Sequence, residues 1–197
     1  MKKFIKHLSI IVTFLSGSVN AFAQPVWVNT YTGLTQSSDD RAFYIAVDDV
    51  NGDIYVAGTS GLDYATIKYT NVGNQRWVTR YNGPANSEDL LHAMVIDNEY
   101  VYVTGESIAS FPNRDYYTIK YTKYRGDVVW AVRYNGTGNG NDIAYDIFVD
   151  WSGNVYVTGG SLGVSGYGDY TTIKYDANGN QLWVARYDGG APGEDFA

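Results

Sequence analysis

Two histidines occur in the 197 residues, His7 near the start and His92 within LLHAMVID. A metal centre or a nucleophile–histidine–carboxylate arrangement needs partners that converge on the imidazole. None recurs beside His92 in the sequence, so it reads as a strand residue. The segment Asp48-Asp49-Val50-Asn51-Gly52-Asp53 alternates carboxylates with a turn glycine, as a loop wrapped around a hard cation would. Its counterparts, Asp97-Asn98-Glu99 and Asp150-Trp151-Ser152-Gly153, keep too few oxygen ligands, and no bidentate glutamate follows at the right spacing. A tight hairpin turn accounts for it better. The chain has no cysteine, which removes disulfides, thiolate metal sites and a cysteine nucleophile together. Neither a metal nor a cofactor is expected, and no catalytic residue stands out.

Two features remain as binding candidates. Asp40, Asp89 and Asp142, joined by Asp195, recur at one register and would form a ring of carboxylates on one rim, attractive to cations or to a basic partner. An aspartate at each such place serves equally well as a turn cap, its side chain bonding nearby backbone N–H groups, and that is the plainer expectation. Trp151 is the one tryptophan of five outside the periodic register. It falls at a hairpin tip, where an aromatic ring either stacks on a sugar or peptide or packs on the neighbouring turn.

The elements that must hold these residues follow from an internal repeat. Trp27, Trp77, Trp130 and Trp183 stand 50, 53 and 53 residues apart, and Tyr31, Tyr81, Tyr134 and Tyr187 each follow four residues later. YVAG at 55–58 recurs as YVTG at 102–105 and 156–159. TIKY recurs at 66–69, 118–121 and 172–175, preceded by Asp63, Asp115 and Asp169. Such a period means stacked supersecondary units. The units run over about 38–83, 87–136 and 140–189. A Trp strand at 25–32 precedes them, and a further unit starts at 193–197.

Each unit resolves into four short strands free of internal proline, in the last one 144–150, 154–159, 170–176 and 181–187. Asn51-Gly52, Ser152-Gly153 and Asn178-Gly179 mark the hairpins, and Asn-Gly points to a two-residue type I′ turn. A two-residue turn at Asn178-Gly179 sets Tyr175 against Leu182 and Lys174 against Trp183, and its counterpart sets Lys68 against Trp77, placing lysine and indole for a cation–π contact. In the middle unit the turn around Tyr124-Arg125-Gly126 is one residue longer, so Lys120 is expected to lose its register with Trp130. Four antiparallel strands cannot cover their own two faces and must stack on neighbouring sheets. The expected fold is therefore all-β, a β-propeller of four-stranded antiparallel blades, here about three blades of an incomplete ring. The ring would be closed by further blades of the same protein or by self-association.

At these residues the sequence resembles the bacterial SBBP (seven-bladed β-propeller) repeat family, through Gly153-Asn154-Val155-Tyr156-Val157-Thr158-Gly159, Asp169-Tyr170-Thr171-Thr172-Ile173-Lys174-Tyr175 and Asn178-Gly179-Asn180-Gln181-Leu182-Trp183. The resemblance covers nearly all of residues 25–197. It implies a secreted or cell-surface protein, often long and sometimes ending in a sorting domain, and it implies no activity. A weaker likeness to quinoprotein dehydrogenase propellers lies in a turn glycine placed shortly before a blade-edge tryptophan.

The opening MKKFIKHLSIIVTFLSGSVNAFA joins a lysine-rich start to a short apolar stretch and an Ala21-x-Ala23 site, the pattern of a signal peptide spanning 1–23. Ser16, Gly17, Ser18 and Asn20 break the apolar run before it could span a bilayer, so no membrane insertion is expected after cleavage. The remaining 24–197 carry 11 basic against 21 acidic residues, a net of −10, without the basic stripe that nucleic acid requires. The sequence thus points to an exported protein, extracellular, at the cell surface or periplasmic. Its expected role is that of a non-catalytic scaffold or binding module for a protein or glycan partner, contacted through the variable loops 59–63, 106–114 and 160–168. The alternative is the N-terminal part of a secreted hydrolase or quinoprotein-like oxidoreductase whose site lies in other blades.

Overall fold

A computed structural model describes residues 27–33, 39–164 and 166–189. The expected leader, Asp195 and the start of a further unit at 193–197 lie outside them. Aromatic and β-branched residues fill the repeat, a composition suited to pleated, half-buried surfaces, and every regular element is a strand. They are β1 (Asp40–Val47), β2 (Ile54–Ser60), β3 (Asp63–Tyr69), β4 (Gln75–Tyr81), β5 (Asp89–Ile96), β6 (Tyr100–Ser110), β7 (Asn113–Thr122), β8 (Val128–Tyr134), β9 (Asp142–Val149), β10 (Val155–Leu162), β11 (Gly168–Tyr175) and β12 (Gln181–Tyr187). They form three four-stranded antiparallel meanders, β1 to β4, β5 to β8 and β9 to β12. The sheets stack in chain order: β5 lies against β1, β2 and β3, and β9 against β5, β6 and β7.

The turns that join third to fourth strands are not the expected two-residue type. In the last sheet Gly179 N–H donates to Asp176 O at 3.0 Å and Asp176 N–H to Asn180 O at 2.9 Å. Gly179 alone takes positive φ, at 84°, which is a three-residue loop closing on a glycine bulge. Asp176 accepts from the N–H groups of Asn178 and Asn180 and fixes the turn. The extra residue moves Tyr175 opposite Gln181 rather than Leu182, while Lys174 still faces Trp183. The longer turn of the middle sheet takes up its added residue between Thr122 and Asp127, whose backbones bond across it. Lys120 therefore faces Trp130 after all, as Lys68 faces Trp77.

These pairs sit in cross-sheet rows Tyr55–Lys68–Trp77, Tyr102–Lys120–Trp130 and Tyr156–Lys174–Trp183. The ammonium groups lie over the tyrosines of the rows rather than over the expected indoles, at 5.3, 5.2 and 5.0 Å from the ring centroids. The Trp77 and Trp130 indoles pack instead on the turn of the following sheet. Trp77 Nε1–H donates to Lys123 O and Trp130 Nε1–H to Ala177 O, both at 3.1 Å. Lys68 and Lys120 send their ammonium groups to the same two carbonyls, at 3.1 and 3.0 Å. Trp27 docks in the same way on the first sheet, donating to Asn71 O at 3.2 Å. The strand expected at 25–32 is not seen: residues 27–33 join no ladder among the described residues.

Each first strand is bulged at its fourth residue, Phe43, His92 or Tyr145, which the register with the second strand skips. The glycine of each YVxG segment makes the bulge possible. A Cβ on Gly58, Gly105 or Gly159 would lie 1.9 to 2.0 Å from the carbonyl oxygen of Arg41, Leu90 or Ile143. Between the sheets the core is built from tyrosines as much as aliphatics, with Tyr55, Tyr64 and Trp77 meeting Leu91, Val101, Val103 and Ile119. The hydroxyls reach backbone acceptors in the next sheet, Tyr64 to Glu106 O and Tyr116 to Thr171 O, both at 3.2 Å. The Tyr64 and Tyr116 rings thus bury apolar area without stranding their hydroxyls.

Candidate functional site

The aspartates at the starts of the first strands are knitted into the architecture. Gly33, Gly83 and Gly136 donate their backbone N–H groups to Asp40, Asp89 and Asp142 at 2.8, 2.5 and 2.6 Å. Ser60, Ser107 and Ser161 stand beside the same carboxylates and also meet Arg80, Arg133 and Arg186. Those arginines reach back in turn, Arg80 to Tyr31 and Arg133 to Tyr81, while Tyr134 bonds Ser161. The periodic tyrosines therefore tie each fourth strand to the following sheet, and Tyr187, the last, is exposed. Asp89 and Asp142 are 1% and 0% exposed, and burial pushes both carboxyls above the usual range. These are turn caps facing the interior, and they present no open rim of charge.

The loops expected to vary are shorter than the sequence indicates. Thr59, Ser60, Glu106 and Ser107 are buried in strands, because β6 and β7 continue to Ser110 and Asn113. Only the tips project, carrying exposed Leu62, Phe111 and Val164.

At the opposite end, the turns joining first to second strands of all three sheets converge on a cleft of about 780 Å³. Val47 and Asp49 line it from the first sheet, Glu99 and Lys120 from the second, and Phe148 and Trp151 from the third. Trp151 is fully exposed and Phe148 is 62% exposed. Two of the three carboxylates of the calcium-like segment are committed to lysines: Lys123 pairs with Asp48 at 3.0 Å and Lys68 with Asp53 at 2.8 Å. Among the described residues no three His, Asp or Glu side chains are arranged to hold a metal ion. Asp150 accepts from Asn154, from the Ser152 N–H and from the Tyr156 hydroxyl. The bond from the Asn154 side chain leads the effects that hold its carboxyl down to about 2.

Lys120 departs from its counterpart. The position of Asp53 is taken in the middle sheet by Tyr100, so among the described residues Lys120 has no carboxylate within ion-pair distance, and it rests 3.8 Å from the centre of the Tyr100 ring. Burial lowers its ammonium pKa, whereas for Lys68 burial is the largest single effect but is outweighed by the bonds and charges of Asp53 and Tyr55 together, which raise it.

His92 has neighbours that sequence proximity did not reveal. The bulge turns its Nε2 to 3.9 Å from the buried Glu106 carboxylate, which is paired with Arg114. Arg114 also bonds Glu88 at 2.9 Å. The signal lay in the repeat itself, since Glu106 stands where Thr59 and Gly160 stand in the neighbouring units.

No protein-family model matches the chain, and no curated protein matches its sequence.

Proposed function

We propose that the three sheets are consecutive blades of a β-propeller of the SBBP repeat type, exported from the cell and acting as a non-catalytic scaffold or binding module. The cleft around Trp151 is its contact surface for an extracellular protein or glycan. One observation carries this reading. The recurring residues of the first two units are consumed in stacking the sheets, whereas Trp151 belongs to one unit, is fully exposed and lines a cleft of about 780 Å³. The blade reading is supported by Trp183, which presents the row Tyr156–Lys174–Trp183 on an open face with its indole 42% exposed. In the two preceding sheets that face receives the next one.

The test is binding of the purified chain and its Trp151→Ala variant to a glycan array and to intact bacterial cells. Capture that is lost in the variant, at an unchanged melting temperature, is the expected result. Equal capture by both proteins would overturn the assignment of the cleft.

A further inference from the structure

The cleft at which the first turns of the three sheets meet is also where the repeat breaks. Asp48, Asp97 and Asp150 open these turns at one register, yet four, two and three residues separate them from Asp53, Tyr100 and Asn154, which close them. Each opening aspartate caps its turn, accepting from the N–H of Val50, from those of Glu99 and Tyr100, or from those of Ser152 and Asn154. The turns thus differ in length and in tip residues while their backbones are held, and a ligand meets a surface already in its binding shape. Val50 is 86% exposed and Phe148 and Trp151 project beside it, so the first and third sheets both offer apolar surface. Five carboxylates and two ammonium groups line the same cleft. Asp48 is paired with Lys123, and Asp97 and Asp150 are further taken by the hydroxyls of Tyr102 and Tyr156. Asp49 and Glu99 are exposed and form no ion pair among the described residues, although the Tyr100 hydroxyl bonds Glu99. Lys120 is 4% exposed, its ammonium held by Ala177 O and the rings of Tyr100 and Tyr102, and it offers an anion little.

We infer that the cleft takes a cationic polypeptide segment of a partner protein, an arginine or lysine flanked by apolar side chains. The inference rests on the assignment of the cleft as the contact surface and names what it contacts. An exposed indole such as Trp151 takes a guanidinium against its face. Asp49 and Glu99 supply the opposite charge from the neighbouring turns, and Val50 and Phe148 receive the apolar neighbours of the cation. An acidic polypeptide or an acidic glycan is repelled, because the carboxylates of the cleft outnumber its ammonium groups. A neutral glycan is disfavoured, since Asp48, Asp97 and Asp150 are already bonded within the protein and leave few acceptors for a ring of hydroxyls.

The experiment is fluorescence anisotropy on the purified chain with labelled hexapeptides that alternate leucine with arginine, with serine or with glutamate, and with a labelled tetrasaccharide of β-linked glucose. Saturable binding of the arginine peptide is expected, about tenfold or more tighter than that of the serine form, and none of the glutamate form. Trp151→Ala, and Asp49→Asn combined with Glu99→Gln, should each weaken it by about tenfold or more at an unchanged melting temperature. Asp39→Asn combined with Glu88→Gln removes the same charge at the other end of the sheets and should bind as the parent does. Serine-peptide or tetrasaccharide binding as tight as that of the arginine peptide, and lost in Trp151→Ala, would refute the cationic partner while keeping the cleft as the contact surface. Arginine-peptide binding that survives Trp151→Ala and falls equally with either pair of charge substitutions would refute both, leaving only a general attraction to an acidic surface. No saturable binding of the arginine peptide would overturn the inference, whereas capture of cells or glycans lost in Trp151→Ala would still support the cleft.

Discussion

The indole of Trp77 lies on Gly126 so closely that a Cβ on that glycine would come within 2.9 Å of the ring. Trp130 bears the same relation to Gly179, and Trp27 a closer one to Gly73. Each glycine also holds positive φ, at 75°, 84° and 83° respectively, so two independent constraints select it. The sheet-to-sheet joint is a flat aromatic surface on a backbone turn from which side chains are excluded.

Substitution separates those two constraints. Gly166 has φ of 83° but nothing near its Cβ position, so Gly166→Ala should cost only the left-handed backbone penalty, about 1–2 kcal/mol. Gly126→Ala should cost about 2 kcal/mol more, for the overlap with Trp77. Trp77→Ala should lose about 3–5 kcal/mol, and Trp183→Ala on the open face about 1 kcal/mol. Urea denaturation of the four variants provides the comparison, and equal losses for Gly126→Ala and Gly166→Ala would remove the role of the indole.

The lysines of the rows should respond differently to neutral replacement. Lys68→Met leaves the Asp53 carboxylate, 17% exposed, without its partner, a loss of about 2 kcal/mol. Lys120→Met removes a charge that burial already disfavours and strands no carboxylate, so the change should stay within about 1 kcal/mol. Thermal melts at neutral pH report the order, and a larger loss for Lys120→Met would contradict it.

Two kinds of aspartate predict opposite pH trends. Asp150 is held at about 2 against an ordinary 3.8, so its contribution is complete above the ordinary value and disappears as pH falls through about 2. The melting temperatures of the parent and Asp150→Asn should therefore differ most above pH 3.8 and converge toward pH 2. Asp142 is shifted upward by burial, so its contribution is complete below its ordinary value and is lost as pH rises through the raised one. Asp142→Asn should thus gain on the parent as pH increases from that value. A constant offset across the range for either variant would show that its carboxyl does not titrate as the geometry requires.

The bulges give a fourth test. Gly105→Ala would drive a Cβ to 2.0 Å from the Leu90 carbonyl oxygen, and the bulged ladder cannot relax without losing its pairing. A loss of about 3 kcal/mol or more is expected. It should be visible as a lower denaturation midpoint, with His92 losing its position beside Glu106.

The strands, and the lysine–tryptophan register of the first and last units, were legible in the sequence because they follow from a two-residue period; the register of the middle unit was not, because its longer turn absorbs the added residue. The turn type was not, since Asn178-Gly179 suits a two-residue turn and a glycine-bulge loop alike, and the choice depends on Asp176 capping the turn and Trp130 covering it. YVTG reads as an ordinary strand ending, yet its glycine is dictated by a carbonyl on another strand. The Trp77 and Trp130 indoles are claimed by the next sheet, a contact no single unit encodes, while the lysines of all three rows lie over tyrosine. His92 and Glu106 are 14 residues apart on separate strands, and only the bulge brings them together. Comparison of the units position by position marks Glu106 as an outsider among Thr59 and Gly160, and that was the available clue.

The docking of each tryptophan on the following turn also gives the stack a direction. Trp27, Trp77 and Trp130 all clasp the turn that comes later in the chain, so the indole joints lie in series along the polypeptide. Pulled from its two ends, such a stack would yield joint by joint, each release paying out one unit's length of chain. Extension would be absorbed in discrete steps, and on relaxation every sheet could re-dock against a neighbour that had kept its shape.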